Sequence, residues 1–421
     1  MAHAAGTGLM HIAILNQDFP PETGAGPARI TELGREWIAR GHQVTVITGF
    51  PNRKLPGQPD GVIPPPYRGR LWMHETLDGL SVHRSWLYAS PRRAFAHTLI
   101  NYLSFAGTSL VNALAGVPRP DVLIASGPPY FQQFSGALAA LARGVPLVLE
   151  TRDLWPDYVA EMGIIRHPLG LRAMFATERW LLRRADASVV VTESFKRRLV
   201  EKGVAEASIT VIPNGVDTSR YYPSEEANPL GALPGEGPLV GYLGTFGAGQ
   251  GLSAALEAVR LLHDAGTPVR LCLVGDGADR AALEADLHAR PIPGVSLHRP
   301  IPRDATRALY NACDVVLVPH AALPVLGDTV PSKIFEVMAC ARPLVAALKG
   351  EGARIVERSG GGVLATPGDP ASIAAGIARV LAMPDAERRT MGAAGRAFAT
   401  REYDRRALAE RYLDVLGRLV R

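Results

Sequence analysis

The strongest constraint on this chain is an alternation that occurs twice. Short apolar runs are followed by longer stretches whose apolar residues fall at helical spacing, first over residues 11–212 and again from 239 onward. The opening unit shows the pattern. His11-Ile-Ala-Ile-Leu15 reads as a strand, Glu22-Thr-Gly-Ala-Gly-Pro27 as a turn, and Ala28–Arg40 as a helix with Ile30, Leu33, Trp37 and Ile38 inward; Gln43–Thr48 is the next strand. Further strands are predicted at 121–125, 145–150, 187–192 and 209–212, then at 239–243, 269–274, 295–298, 315–319 and 343–347. Helices fill the intervals, including 251–264, 277–289, 304–311, 332–341, 352–358, 370–382 and 385–398. Strands that alternate with helices build parallel sheets covered on both faces, so the fold class is α/β with two doubly wound, Rossmann-like halves.

At 421 residues the chain exceeds one ordinary core. The expected division is 1–213, 214–402 and a terminal helix over 403–421 that packs back on the first half. Pro223–Pro238, polar and rich in Pro and Gly, reads as the connection, and residues 50–79 as a long loop or flap. Two such halves are expected to face each other across a cleft at the carboxyl ends of their strands, where ligands bind in this architecture. Cys272, Cys313 and Cys340 sit among apolar neighbours without metal-ligand spacing, which predicts buried free thiols. Met1–Leu9 lacks the apolar stretch of a secretory signal and reads as a loose extension.

Charge is unevenly placed. Residues 1–213 hold 22 Lys and Arg against 17 Asp and Glu, whereas 214–421 hold 23 of each. Residues 53–119 alone hold 8 basic and 3 acidic side chains, beside the apolar but interrupted stretch Ala94–Val117. Two readings stay open for this segment: contact with an anionic membrane surface, or a solvated surface with a long helix on the core. The modest excess, with no accompanying motif, argues against nucleic acid.

Three segments carry chemistry. Asp328-Thr-Val-Pro-Ser-Lys-Ile-Phe-Glu336 sets two carboxylates about a lysine at a predicted helix start, with Pro331 suited to the first turn and Ser332 able to cap. Ile334, Val337, Met338 and Ala341 form its inward stripe, which leaves Lys333, Glu336 and the helix N-terminus for an anionic ligand. Gly244-Thr-Phe-Gly-Ala-Gly-Gln-Gly251 joins a strand to a helix and can bring backbone amides close to a phosphate. Glu150-Thr-Arg-Asp-Leu-Trp-Pro156 ends a strand with three charges, and Trp155-Pro156 offers a surface on which a sugar could stack. Gly24-Ala-Gly26 is a weaker turn, because Arg29 stands where a dinucleotide fingerprint needs its third glycine. No metal triad or Ser/His/Asp arrangement is evident. Of the scattered histidines His320, after a strand end, is the one to watch.

Taken together, these marks resemble the retaining glycosyltransferases of family 4, which have the GT-B fold. The resemblance rests on Gly24–Gly26, Arg152-Asp-Leu-Trp-Pro156, Pro213-Asn-Gly-Val-Asp217, Gly244–Gly251 and Pro331–Glu336, spans roughly residues 10–415, and looks closest to the bacterial O-antigen, capsule or exopolysaccharide subgroup that includes N-acetylfucosamine transferases. It implies a metal-independent enzyme without cofactor. Such an enzyme moves an N-acetylhexosamine from a UDP-sugar to a lipid-linked or cell-surface polysaccharide acceptor, in the cytoplasm or at the inner membrane face. It implies that Glu336 holds the ribose, and that Asp328, standing where the family has Glu, reaches the donor sugar. Lys333, Asp328, Arg152 and Asp153 become the catalytic candidates. Gly24, Gly26, Gly244, Thr245, Gly247, Gln250, Arg299, Ser332 and Glu336 become the donor-binding ones. Thr245 and Gln250 stand near positions where many members place Arg and Lys, which shifts weight to Lys333. Two rivals stay open: a nucleotide-sugar epimerase of the same fold and a non-catalytic membrane-associated subunit.

Overall fold

The computed structural model describes residues 8–53, 55, 58–92, 95–161, 163, 165 and 167–420, so most of the expected extension Met1–Leu9 lies outside the described residues. The chain forms two compact units, residues 1–214 with 406–421, and residues 215–405. The boundary falls inside Pro213-Asn-Gly-Val-Asp217, and the Pro/Gly-rich stretch 223–238 lies within the second unit.

The first unit is built on the strands β1 (His11–Leu15), β2 (Gln43–Gly49), β3 (Trp72–Leu77), β4 (Leu80–Ser85), β5 (Val122–Gly127), β6 (Leu147–Thr151), β7 (Ala187–Val190) and β8 (Ile209–Val211). They lie in the order β3-β4-β2-β1-β5-β6-β7-β8, all parallel except β3, which runs antiparallel to β4 at the edge. Its helices are α1 (Ala25–Ala39), α2 (Phe95–Val111, continued by a π turn to Gly116), α3 (Phe131–Arg143), α4 (Trp155–Glu161), α5 (Pro168–Arg184) and α6 (Glu193–Glu201).

Burial on both faces explains the nearly continuous apolar strands. Ile12, Ile14, Val44, Val46, Ile124 and Val148 point to one side, against Ile30, Leu33 and Trp37 of α1 and against Leu408, Tyr412 and Leu416 near the C-terminus. Ala13, Leu15, Ile47, Leu123, Ala125 and Leu149 point to the other, against Phe105, Ala137, Leu181, Phe195 and Leu199 of α2, α3, α5 and α6. The alternation of adjacent residues between two cores is the period of two that a strand imposes. Trp37 is held edge-on by Tyr412 at 5.3 Å, and its indole N–H donates to the Ala409 carbonyl at 3.1 Å.

The long loop read at 50–79 is partly wrong. Residues 72–77 form β3, an edge strand whose side chains are alternately exposed and half-buried. A polar edge strand lacks the apolar run that marks a buried one, so its composition resembled a loop.

The second unit contains β9 (Leu239–Leu243), β10 (Arg270–Val274), β11 (Val295–His298), β12 (Val315–Pro319), β13 (Leu344–Ala347) and β14 (Gly362–Ala365), all parallel, in the order β11-β10-β9-β12-β13-β14. Its helices are α7 (Leu252–Asp264), α8 (Arg280–Ala289), α9 (Arg303–Ala312), α10 (Lys333–Ala339), α11 (Gly350–Ser359), α12 (Pro370–Leu381) and α13 (Asp385–Tyr403); the terminal helix α14 (Arg405–Leu419) returns to the first unit. The short strand β14, which the sequence reading missed, carries two glycines just before it and an exposed Leu364. The three cysteines are free and buried. Ala341, assigned to the inward stripe of α10, lies past the end of that helix with φ at +53°.

Candidate functional site

Each sheet reverses its strand order once. In the second unit the reversal lies between β9 and β12, so the loops after those strands diverge and leave room for a ligand at their carboxyl ends. The loop after β9 is Gly244–Gly251, and the Ala321 amide, after β12, donates to the Gly249 carbonyl at 3.0 Å. Gly251 caps α7 in the left-handed region, with φ at +61°, and a Cβ there would press on the His320 carbonyl. Glycine is thus required both by backbone conformation and by space. No side chain caps α7, so its first-turn amides face the loop as a helix N-terminus suited to phosphate.

Lys333 opens α10 and reaches back into this loop. Its Nζ lies 3.9 Å from the centre of the Tyr242 ring and 3.4 Å from Gln250 Oε1. A Cβ on Gly244 would stand 2.5 Å from the same nitrogen. The Tyr242 hydroxyl donates to the Thr245 carbonyl at 2.7 Å and lies 3.1 Å from Gln250 Oε1. Burial pushes the Lys333 amine down to about 7, and the carboxylate of Glu336 offsets only part of that. His320 is buried beside it; burial first, and the Lys333 charge second, push its imidazole down to about 4, so it is neutral at pH 7.

Glu336 lies one turn beyond Lys333 on α10 and accepts a hydrogen bond from the buried Tyr310 hydroxyl at 3.0 Å. Asp328 does not lie at the helix start: it ends a separate 3-10 turn, Pro324–Asp328, and is half-buried. Ser332 corrects the capping expectation. Its backbone is already helical, with φ −59° and ψ −26°, and its side chain makes no cap bond. A residue already inside the turn cannot aim its hydroxyl back at the amides a cap would serve. Gly247 is extended, at φ −136°. Arg299 is paired with Asp276 at 2.8 Å, where both are exposed. Asp276 belongs to Gly275-Asp-Gly277, and its carbonyl accepts the Phe246 amide at 2.9 Å, which fixes the glycine loop from behind.

In the first unit the strand order reverses between β1 and β5. Arg152, after β6, lies there, with Nε donating to Ser126 Oγ at 3.0 Å and Nη2 donating to Asn16 Oδ1 at 2.9 Å. Its Nη1 packs so closely on Gly26 that a Cβ there would clash. Gly26 lies within α1 rather than in the turn before it, and Gly24 is the residue preceding that helix. Arg29, the residue that breaks the dinucleotide fingerprint, is fully buried. It pairs with Glu150 at 2.9 Å and donates to the Pro213 and Ile212 carbonyls. Burial opposes the charge on Glu150, but Arg29, Arg152 and the Ser126 hydroxyl together hold its carboxyl below the usual range. Asp153 diverges from Arg152. It lines a small cavity with Tyr130, Gln133, Trp155 and Glu178, and burial pushes its carboxyl up. Trp155, offered as a stacking surface for a sugar, is half-buried, with Tyr130 stacked on it at 5.8 Å and 8°.

The structure thus gathers Gly244, Gln250 and Lys333 and keeps Thr245 and Glu336 adjacent, while Asp328 stands on its own 3-10 turn and Arg299 pairs with Asp276. Sequence reasoning missed Tyr242, Tyr310 and Asp276. Tyr242 carried a signal, being the aromatic in the strand that feeds the glycine loop. Among the described residues no cluster of His, Cys, Asp and Glu suits a metal ion.

Residues 24–215 match the family model described as a Glycosyl transferase 4-like domain, and residues 237–383 match that of Glycosyl transferases group 1. The chain is 31% identical to the 2-deoxystreptamine glucosyltransferase of Streptomyces kanamyceticus over 260 residues, 59% of this chain and 65% of that protein. It is 29% identical over 346 residues to WcaI of Escherichia coli, a glycosyl transferase named for colanic acid biosynthesis, covering 78% of this chain and 81% of that one. Among solved structures, Anabaena HepE in complex with UDP and glucose superposes with a TM-score of 0.68 at 18% identity, over 97% of this chain and 99% of that one. The likeness to HepE is one of the GT-B fold, and with a 4-like domain in its first half and a group 1 domain in its second the chain belongs to the glycosyltransferases.

Proposed function

We propose that this glycosyltransferase moves a sugar, an N-acetylhexosamine, from a UDP-sugar to a lipid-linked or cell-surface polysaccharide acceptor, with retention at the anomeric carbon and without a metal ion. The observation that carries the reading is the half-buried Lys333, whose ammonium lies over the Tyr242 ring at the glycine loop. A diphosphate seated on the amides of 244–251 and of the first turn of α7 would meet this cation in a low-dielectric setting, where it stabilises the charge that develops as the nucleoside diphosphate leaves. Lys333 supplies what a metal would otherwise supply, because Thr245 and Gln250 bring no charge. Glu336, oriented by Tyr310, is proposed to hold the ribose, and Asp328 the donor sugar; Gly244, Gly247, Ser332 and Arg299 complete the donor side. The first unit, with Gly24, Gly26, Arg152 and Asp153, is proposed as the acceptor side. The reading of a uridine donor is in keeping with the HepE structure, which holds UDP and glucose, and that of a biosynthetic transferase with WcaI, named for colanic acid biosynthesis.

A thermal-shift screen of UDP-, GDP-, ADP- and TDP-sugars tests the donor, since a ligand that binds only the folded chain raises its Tm. Transfer to a lipid-linked acceptor is then followed with and without that acceptor. Donor conversion in the absence of acceptor would point to an epimerase instead. Unchanged transfer in both Glu336→Ala and Lys333→Ala would remove the assignment of this site.

A further inference from the structure

Helix α2 is built inside out. Its inward side carries Asn101, Ser104, Phe105 and Ser109, and Asn112 follows in the π turn. Asn101 Nδ2 donates to the Tyr88 carbonyl at 2.7 Å, Ser104 Oγ accepts the Tyr88 amide at 2.8 Å, and Asn112 Nδ2 donates to Ser85 Oγ at 2.9 Å. Its outward side carries Ile100, Leu103, Gly107, Val111 and Leu114 at steps of three or four residues, with Leu103 and Val111 each 49% exposed. An ordinary surface helix has the opposite polarity. The face continues sideways. Helix α3 packs on α2 and exposes Leu138 and Leu141; α5 packs on α3 and exposes Trp180, stacked on Phe134 at 6.0 Å and 5°. All three helices cover the sheet face opposite α1.

Exposed charge on these helices has one sign. Residues 95–119 contain no carboxylate, and α3 carries only Arg143. Along α5 stand Arg172, Arg179, Arg183 and Arg184, while its one acid, Glu178, is buried and bonded to Lys202 at 2.8 Å. An apolar stripe flanked by arginines complements a surface that offers hydrocarbon and phosphate side by side. No helix among the described residues is long and apolar enough to span a bilayer.

We propose that the α2–α3–α5 face of the first unit docks on an anionic lipid bilayer, with Ile100, Leu103, Val111 and Leu114 at acyl level and Arg172, Arg179 and Arg183 on headgroup phosphates. This keeps the apolar part of the contact expected over residues 53–119 and draws its cations from α5. Arg84 of that segment is fully buried, and the arginines that flank the apolar stripe come from α5. The inference is independent of the donor chemistry.

The test is flotation of the full chain with vesicles of phosphatidylcholine alone or mixed equally with phosphatidylglycerol. Binding is expected only to the anionic vesicles and is expected to weaken with salt. Arg172→Gln/Arg179→Gln/Arg183→Gln is expected to weaken partitioning by on the order of 100-fold, and Leu103→Ser/Val111→Ser by on the order of tenfold. These side chains are exposed, so Tm and donor-induced thermal shift should not move. Absence of flotation, or flotation equal in wild type and both variants, would overturn the proposal. So would a dimer by light scattering that Leu103→Ser/Val111→Ser dissociates, because the face would then belong to a second copy. Should a variant fail to fold, the salt dependence of wild-type flotation still decides: binding that is indifferent to salt or to phosphatidylglycerol counts against an anionic surface.

Discussion

The ammonium of Lys333 sits 3.9 Å from the centre of the Tyr242 ring. The ring stabilises a cation that burial disfavours, and desolvated contacts of this kind are worth about 2 kcal/mol. Tyr242→Leu is therefore expected to lower kcat by roughly 10- to 30-fold, while Tyr242→Phe keeps most of the rate because the ring remains. Steady-state kinetics check this, and equal losses in both variants would assign the effect to the hydroxyl bonds with Thr245 and Gln250 instead.

Donor binding should depend on pH through the same lysine. Burial holds its amine near 7 in the free protein. A bound diphosphate favours the charged form and raises that value, so binding takes up a proton above pH 7. Affinity is expected to be flat below about pH 6.5 and to weaken by up to tenfold per pH unit above about 7.5. Calorimetric titration in buffers of different ionisation enthalpy measures the proton uptake directly, and Lys333→Met should abolish it.

The folding consequence has the opposite sense from a salt-bridged lysine. The folded value lies below the unfolded one of 10.5, so between about pH 7 and 10.5 the unfolded chain binds the extra proton and stability rises with pH. Below pH 7 both states are protonated and the cost of burying the charge is felt in full. Lys333→Met is expected to raise Tm at pH 6 and to lose that advantage progressively above pH 7, while transfer falls at every pH. Thermal melts across this range test it.

Arg29 and Glu150 form a buried pair at 2.9 Å with further bonds on both sides. Removing one partner strands the other charge, which typically costs about 3–5 kcal/mol. Arg29→Met should lower the urea midpoint accordingly. Arg29→Met/Glu150→Gln should cost less than the sum of the two single changes, because the stranded carboxylate is gone. Additive losses would show that the two side chains act independently.

Gln250 receives the Lys333 ammonium at 3.4 Å. Gln250→Lys would set two cations side by side with only the Glu336 carboxylate to offset them. The free protein should melt at lower temperature, and the thermal shift on adding nucleoside diphosphate should grow, since the anion relieves the repulsion. A smaller shift would mean that residue 250 faces away from the phosphates.

Much of the architecture was legible in the sequence. Strands such as His11–Leu15 and Val315–Pro319 are buried on both faces, so their composition is nearly pure apolar and their ends are sharp. Edge strands gave no such signal: Trp72–Leu77 is half solvated and reads like a loop. The glycine loop and Lys333 were identifiable because both depend on local properties, a backbone conformation and a lone cation in a capping context.

What the sequence determined by itself is the doubly wound α/β order and the presence of a glycine-rich loop joining a strand to a helix, since both follow from periodicity and glycine placement within a few neighbouring residues. Only the tertiary structure decided which side chains act together. It placed Tyr242 under Lys333, sent Arg152 to Ser126 and Asn16 while Asp153 lines a small cavity, and stacked Tyr130 on Trp155. Lys333 and Gln250 are 83 residues apart along the chain. Their meeting depends on β9 and β12 being neighbours in the sheet, a relation set by the packing of the whole unit and not by any local run of residues.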